Sequence, residues 1–213
     1  MRIGVFDSGV GGKAVAGKLQ ELLPDAEIIS VDDYAHVPYG DRIPEDIIEL
    51  TKIAIQPLLD TECDAIIIAC NTATTVAISA LRATFPSVNF IGIEPMIKPA
   101  AAITKSKIIA VLATPRTLQS DRYNELKQTW AKDITVIEPD CSGWAKLIED
   151  GSSSRVQVEA TIAGLLQENV DVIVLGCTHY HMIKERIVDA AGDSVTVLEP
   201  TDAIANRIKY LLA

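Results

Sequence analysis

Two segments set 107 positions apart constrain this chain more than any other feature. DAIIIACNTATT at 64–75 aligns with DVIVLGCTHYHM at 171–182, and Cys70 falls on Cys177. The same shift carries Asp7 onto Thr114 and Asp33 onto Asp140, while FIGIEP at 90–95 returns as TVLEP at 196–200, shifted by 105 at its proline. Two similar halves of about 100 residues each are the simplest account. The expected bounds are 1–94 plus 200–213 for the first and 95–199 for the second. The alternative, two unrelated strands that each happen to end in cysteine, stays open at this point.

Short apolar runs recur along both halves: IGVF (3–6), EIISV (27–31), AIIIA (65–69), NFIGI (89–93), IIAVL (108–112), ITVI (134–137), VIVLG (172–176) and VTVL (195–198). Helical patterns lie between most of them, for example 12–23 and 45–59. Strands alternating with helices imply βαβ units, so the expected class is α/β: two similar lobes, each a mainly parallel sheet flanked by helices. In open parallel sheets ligands gather beyond the carboxyl ends of the strands, where Asp7, Cys70, Thr114 and Cys177 fall. If the halves face each other across a cleft, the two thiols converge on an active site within it.

Composition narrows the partners. The formal net charge is −10, from 19 Lys and Arg against 29 Asp and Glu, which disfavours nucleic acid and anionic membranes. It also fails to attract an anionic substrate, so a carboxylate pocket must be made locally from backbone N–H groups and hydroxyls. The apolar runs at 65–70 and 172–177 fall far short of the ~20 residues that span a bilayer. The start, MRIGVFDSG, has no charged and apolar leader pattern, so the reading is a soluble cytoplasmic protein. Four cysteines at 63, 70, 141 and 177 without a CxxC pair read as separate thiols in a reducing compartment.

Two opposed thiols suit one reaction class. Inverting a stereocentre by proton transfer needs a base on one face of the carbon and an acid on the other, with the roles exchanged in reverse. A thiol with an ordinary pKa near ~8.5 can be biased toward either form by its neighbours. Each cysteine is followed by small or polar residues, Asn71-Thr72-Ala73-Thr74-Thr75 and Thr178-His179-Tyr180, where turns offer N–H donors and hydroxyls to an anion. DSGVGG at 7–12 has the same character, with a candidate Asp or Ser cap and glycines that permit close approach. It is not GxGxxG, which argues against a dinucleotide site.

Through DSGVGG (7–12), VPYGDR (37–42), ACNTA (69–73), LATPRT (112–117) and GCTHY (176–180), in order and over nearly its full length, the chain resembles the glutamate racemase family. The resemblance implies a two-lobed α/β enzyme that interconverts L- and D-glutamate without pyridoxal phosphate, metal or any other cofactor, supplying D-glutamate for peptidoglycan. It implies Cys70 and Cys177 as the catalytic pair, the first working on D-glutamate and the second on L-glutamate. Asp7 and His179 are expected to assist the thiols. Asp7, Ser8, Tyr39, Gly40, Asn71, Thr72, Thr178 and His179 match residues that bind substrate or flank the thiols, and Thr114 and Thr117 are further hydroxyl candidates.

Some positions depart from that pattern: His181, where proline is common, Lys13 and Ala14, and the short run from Glu199 to Ala213, expected to be a helix that returns to the first lobe. That shortness bears on a possible homodimer. Cys63 and Cys141 read as structural thiols, Trp130 and Trp144 as packing residues, and Glu149 as a weaker candidate for the site. The rival readings are a related racemase acting on aspartate or another amino acid, a zinc site at Cys70, Cys177 and His179, or a silent binding module.

Overall fold

The structure, a computed structural model, describes residues 1–212; the expected lobe boundary at Ala213 lies outside the described residues. In chain order the elements are β1 (Arg2–Asp7), α1 (Gly11–Leu22), β2 (Glu27–Asp32), α2 (Pro44–Ala54), α3 (Gln56–Asp60), β3 (Ala65–Ile68), α4 (Asn71–Thr84) and β4 (Phe90–Gly92). They continue as α5 (Ile97–Ile103), β5 (Ile108–Ala113), α6 (Pro115–Leu118), α7 (Asp121–Trp130), β6 (Thr135–Ile137), α8 (Trp144–Glu149), α9 (Val158–Gln167), β7 (Val172–Gly176), α10 (Lys184–Ala191), β8 (Thr196–Leu198) and α11 (Thr201–Leu212). By internal packing the chain divides into two compact units, Met1–Glu94 with the chain from Pro200 onward, and Pro95–Glu199.

Each unit holds a four-stranded, fully parallel sheet, ordered β2-β1-β3-β4 in the first and β6-β5-β7-β8 in the second. The orders are identical once four is added to each strand number, so the sequence repeat is a repeat of topology. In both sheets the chain leaves the first strand in one direction and the third in the other. That reversal opens a crevice at the carboxyl ends of β1 and β3, and equally of β5 and β7. Residues 7–8 and 70, and residues 113–114 and 177, stand at these ends.

Strand alternation builds two apolar layers per sheet. In the first unit Ile3, Val5 and Ile67 face Val15 and Leu19 of α1 and Ile204 and Ile208 of α11, while Phe6, Ile66 and Ile68 face Ile47 of α2, Leu58 of α3 and Leu81 of α4. The terminal helix α11 thus completes the first unit. In the second, Leu112, Ile173 and Leu175 pack on Ile148, Ile162 and Ile187, and Val111, Val172 and Val174 pack on Ile97, Tyr123 and Leu126.

Two local departures from the sequence reading have plain causes. The helix expected over 45–59 is broken at Ile55, because Pro57 has no N–H to continue the ladder; it sits in the first turn of α3 instead. Gly12 does not open a path for a ligand. A Cβ there would lie 2.4 Å from Asp7 Cβ and 2.6 Å from Asp32 Oδ1, so glycine lets α1 start flush against the ends of β1 and β2.

Candidate active site

In the first unit Cys70 caps α4. Its Sγ accepts the Ala73 N–H over 3.4 Å and the Ser8 hydroxyl over 3.3 Å, and the residue is 6 % exposed. Burial pushes the thiol up to about 11 and the Asp7 carboxylate adds to the rise, while Ser8 and the N–H groups of Ala73 and Thr72 hold it down. Burial thus favours the neutral thiol, while three donors stand ready to hold Cys70 as a thiolate. Asp7 is fully buried and does not cap α1 as the sequence suggested; its Oδ2 accepts the Gly9 N–H over 3.0 Å within the DSG turn.

Asn71 and Thr72, in the first turn of α4, are buried beside the thiol. Both side-chain polar atoms of Asn71 lack a hydrogen-bond partner among the described residues, an unusual state for a buried amide and one that suits a polar ligand. Tyr39 and Gly40 form a 3₁₀ turn, Tyr39–Asp41. The Tyr39 ring is buried in the same apolar cluster as Cys70, and its hydroxyl donates to Asp33 Oδ2 over 2.7 Å. Burial, then Asp33, push that hydroxyl well above the usual phenol range, so it stays a donor. Asp33 also faces His36 Nδ1 at 2.8 Å. Asp33 was absent from the site residues drawn from sequence, although its match to Asp140 in the repeat marked the position.

In the second unit Cys177 ends β7 in extended conformation and leads into a 3₁₀ turn, Thr178–Ile183, so here the strand does not pass directly into an α-helix. Its Sγ lies 3.8 Å from His179 Nδ1, and His179 Nε2 lies 2.5 Å from Glu149 Oε2 at the end of α8. Cys177, Thr178 and His179 are all buried. Glu149, a minor candidate in the sequence, is the group that orients the imidazole: accepting the Nε2 proton leaves Nδ1 to face the sulfur. Tyr180 holds this turn from behind, edge-on to Trp144 and donating to the Cys141 carbonyl over 3.3 Å.

At the end of β5, Thr114 caps α6; its hydroxyl lies 3.0 Å from that of Thr117 and accepts the Thr117 N–H over 3.3 Å. No disulfide joins the four cysteines. Cys141 shares the apolar cluster of the second unit with Cys177, and burial pushes its thiol up to about 12. Among the described residues no group of three or more His, Cys, Asp or Glu side chains is arranged to hold a metal ion, and no helix is long and apolar enough to cross a membrane.

Comparison with known proteins places this geometry. Residues 12–208 match the family model described as Asp/Glu/Hydantoin racemase. The chain is 41 % identical to a glutamate racemase of Herpetosiphon aurantiacus over 99 % of its own length and 84 % of that protein's. It is 38 % identical to a glutamate racemase of Ectopseudomonas mendocina, covering 99 % and 81 % of the two chains. Among solved structures, the Escherichia coli glutamate racemase in complex with L-glutamate and the activator UDP-MurNAc-Ala matches with a TM-score of 0.87 at 30 % identity, over 99 % of this chain and 82 % of that one. An aspartate racemase of Picrophilus torridus, at 19 % identity and a TM-score of 0.67, shares the fold. A doubled parallel sheet with a polar-partnered thiol at each crevice, carried on a sequence this similar, means that the chain belongs to the Asp/Glu/hydantoin racemase family, within its glutamate racemase group.

Proposed function

We propose that this protein interconverts L- and D-glutamate without a cofactor, with Cys70 and Cys177 as the two acid/base groups, and that it supplies D-glutamate for peptidoglycan synthesis. The observation that carries the reading is the equivalence of the thiols: each ends the third strand of its sheet, each is buried, and each has its own polar partner, Ser8 for Cys70 and His179 for Cys177.

In this reading Cys70 serves one face of the substrate α-carbon and Cys177 the other. With D-glutamate bound, the Cys70 thiolate removes the α-proton, the electron pair passes into the α-carboxylate, and the Cys177 thiol delivers its proton to the opposite face. The L-enantiomer leaves and the thiols have exchanged protonation states; L-glutamate reverses each step. Asp7 and His179 assist the exchange at Cys70 and Cys177. Asn71, Thr72 and Thr178, with the N–H groups beside them, hold the α-carboxylate as it takes up charge, and Ser8, Tyr39, Gly40, Thr114 and Thr117 complete the substrate pocket.

Incubating the purified protein with each enantiomer of glutamate and of aspartate, with no cofactor added, and following optical rotation tests this. Either glutamate solution is expected to decay to zero rotation while aspartate keeps its own. Unchanged glutamate contradicts the reading, and decay of aspartate alone transfers it to a related substrate.

A further inference from the structure

The loop after β2 is tied together by a side chain that the proposed reaction does not use. His36 stands half-exposed between β2 and the Tyr39–Asp41 turn, and its Nδ1 lies 2.8 Å from Asp33 Oδ1 and 3.0 Å from Asp33 Oδ2. An ionised carboxylate only accepts, so Nδ1 carries the proton, in the neutral ring as in the charged one. The Asp33 N–H in turn donates to the Asp7 carbonyl over 3.1 Å, which fastens the base of this carboxylate to the end of β1. Ser8, the donor to the Cys70 thiol, is the next residue along.

Asp33 Oδ2 also accepts the Tyr39 hydroxyl over 2.7 Å, and the Tyr39 ring lies in the apolar cluster that contains Cys70. One carboxylate is thus shared by two donors, His36 exposed and Tyr39 buried. Two further bonds close the loop on itself, from Arg42 Nε to the His36 carbonyl over 2.6 Å and from the Arg42 N–H to the Tyr39 carbonyl over 3.1 Å. With 45 % of its side-chain surface in water, His36 adds little burial. What it supplies is direction, because a carboxylate met at both oxygens does not rotate away from Tyr39.

We propose that His36 is a positioning residue for racemisation: through Asp33 it fixes the Tyr39 hydroxyl, and with it the Tyr39–Gly40 turn that binds substrate. This rests on the reading of the protein as a glutamate racemase and deepens it. Without the imidazole, the Asp33 carboxylate keeps one side-chain donor and turns toward water, which takes its acceptor from the buried Tyr39 hydroxyl. The turn shifts to recover a partner, and the pocket loses its preset shape before substrate arrives. Tyr39 and Gly40 move no proton and meet the substrate alike in the ground and transition states, so the loss falls on binding.

The test measures kcat and KM for D- and L-glutamate, and the rate of tryptic cleavage after Arg42 without substrate, read by fragment mass. The proteins are the wild type, His36→Ala, His36→Asn, Tyr39→Phe and the double variant His36→Ala with Tyr39→Phe. His36→Ala is expected to raise KM about 3- to 10-fold with kcat within about twofold, as for loss of one half-exposed hydrogen bond, and to hasten cleavage. His36→Asn, whose side-chain N–H stands where Nδ1 does, restores both. Because His36 acts through the Tyr39 hydroxyl, His36→Ala adds no further rise in KM once Tyr39 is Phe. Wild-type KM in His36→Ala overturns the proposal, as do a rise in His36→Asn equal to that in His36→Ala and KM effects that multiply in the double variant. Should His36→Ala not fold, His36→Leu carries the same readouts. A wild type that leaves glutamate unracemised sinks the parent reading instead, and the role of His36 is then judged on cleavage alone: faster cleavage in His36→Ala, restored in His36→Asn, upholds it, and an unchanged rate overturns it.

Discussion

His179 Nε2 lies 2.5 Å from Glu149 Oε2, a contact that ties the turn after β7 to the end of α8 across 30 residues of sequence. The carboxylate fixes which ring nitrogen carries the proton and which faces Cys177. Glu149→Gln keeps the shape and removes the charge, so the ring loses its preferred tautomer. The expected outcome is a fall in kcat of about 10- to 100-fold with a smaller change in KM, measured in both directions of racemisation. Equal kcat in the variant and the wild type removes Glu149 from the account.

The Cys70 environment makes a prediction with opposite signs at two positions. Asp7 raises the thiol and Ser8 lowers it. Asp7→Asn therefore moves the pH midpoint of iodoacetamide alkylation at Cys70 downward, and Ser8→Ala moves it upward. Alkylated Cys70 is distinguished from the other cysteines by peptide mass. Shifts in the same direction contradict the assigned roles.

Much of the fold was legible because its signal is local. All eight apolar runs are strands, and the two cysteines of the repeat end equivalent ones, since a buried parallel strand writes itself as a continuous apolar run. What escaped the sequence depends on packing between distant segments. Glu149 reaches His179 only because α8 lies against the turn after β7, and Asp33 reaches Tyr39 only through the loop after β2. The break at Ile55 was readable from Pro57 but hidden by an unbroken helical pattern of apolar residues. The burden on Gly12 is invisible without the positions of Asp7 and Asp32.

Gly12 carries a stability prediction. In Gly12→Ala the new methyl meets Asp7 Cβ at 2.4 Å and Asp32 Oδ1 at 2.6 Å; the carboxylate can turn aside, but the Cβ is fixed to the β1 backbone. The variant is expected to lose about 1–3 kcal/mol of stability in urea unfolding, as for an overpacked core, and to lose activity as Asp7 is displaced. A stable, fully active variant contradicts the close packing of α1 on β1.

Asp171 sets an acid limit on the second unit. Burial opposes its ionised form, but the Thr104 hydroxyl at 2.6 Å and the N–H groups of Ser106 and Lys105 outweigh it and hold the carboxyl at about 2. Because the folded value lies below the unfolded one, this stabilisation is present above pH ~4 and fades as pH falls toward 2. Asp171→Asn is expected to cost about 1–2 kcal/mol at pH 7, allowing for solvent screening, with the difference vanishing near the acid limit. A difference that persists undiminished to low pH assigns the loss to geometry instead of charge.

The two-thiol mechanism itself is tested by giving Cys70→Ala and Cys177→Ala each enantiomer of a glutamate analogue with a leaving group on the β-carbon. Neither variant is expected to racemise glutamate, since one face of the carbon has lost its acid or base. Elimination needs only one face: the surviving thiolate takes the α-proton, the electron pair forms the α,β double bond, and the leaving group departs with the β-bond pair. Cys70→Ala should then consume only the L analogue and Cys177→Ala only the D analogue. Racemisation of glutamate by either variant at near wild-type rates, or elimination from the same enantiomer by both, would contradict the account.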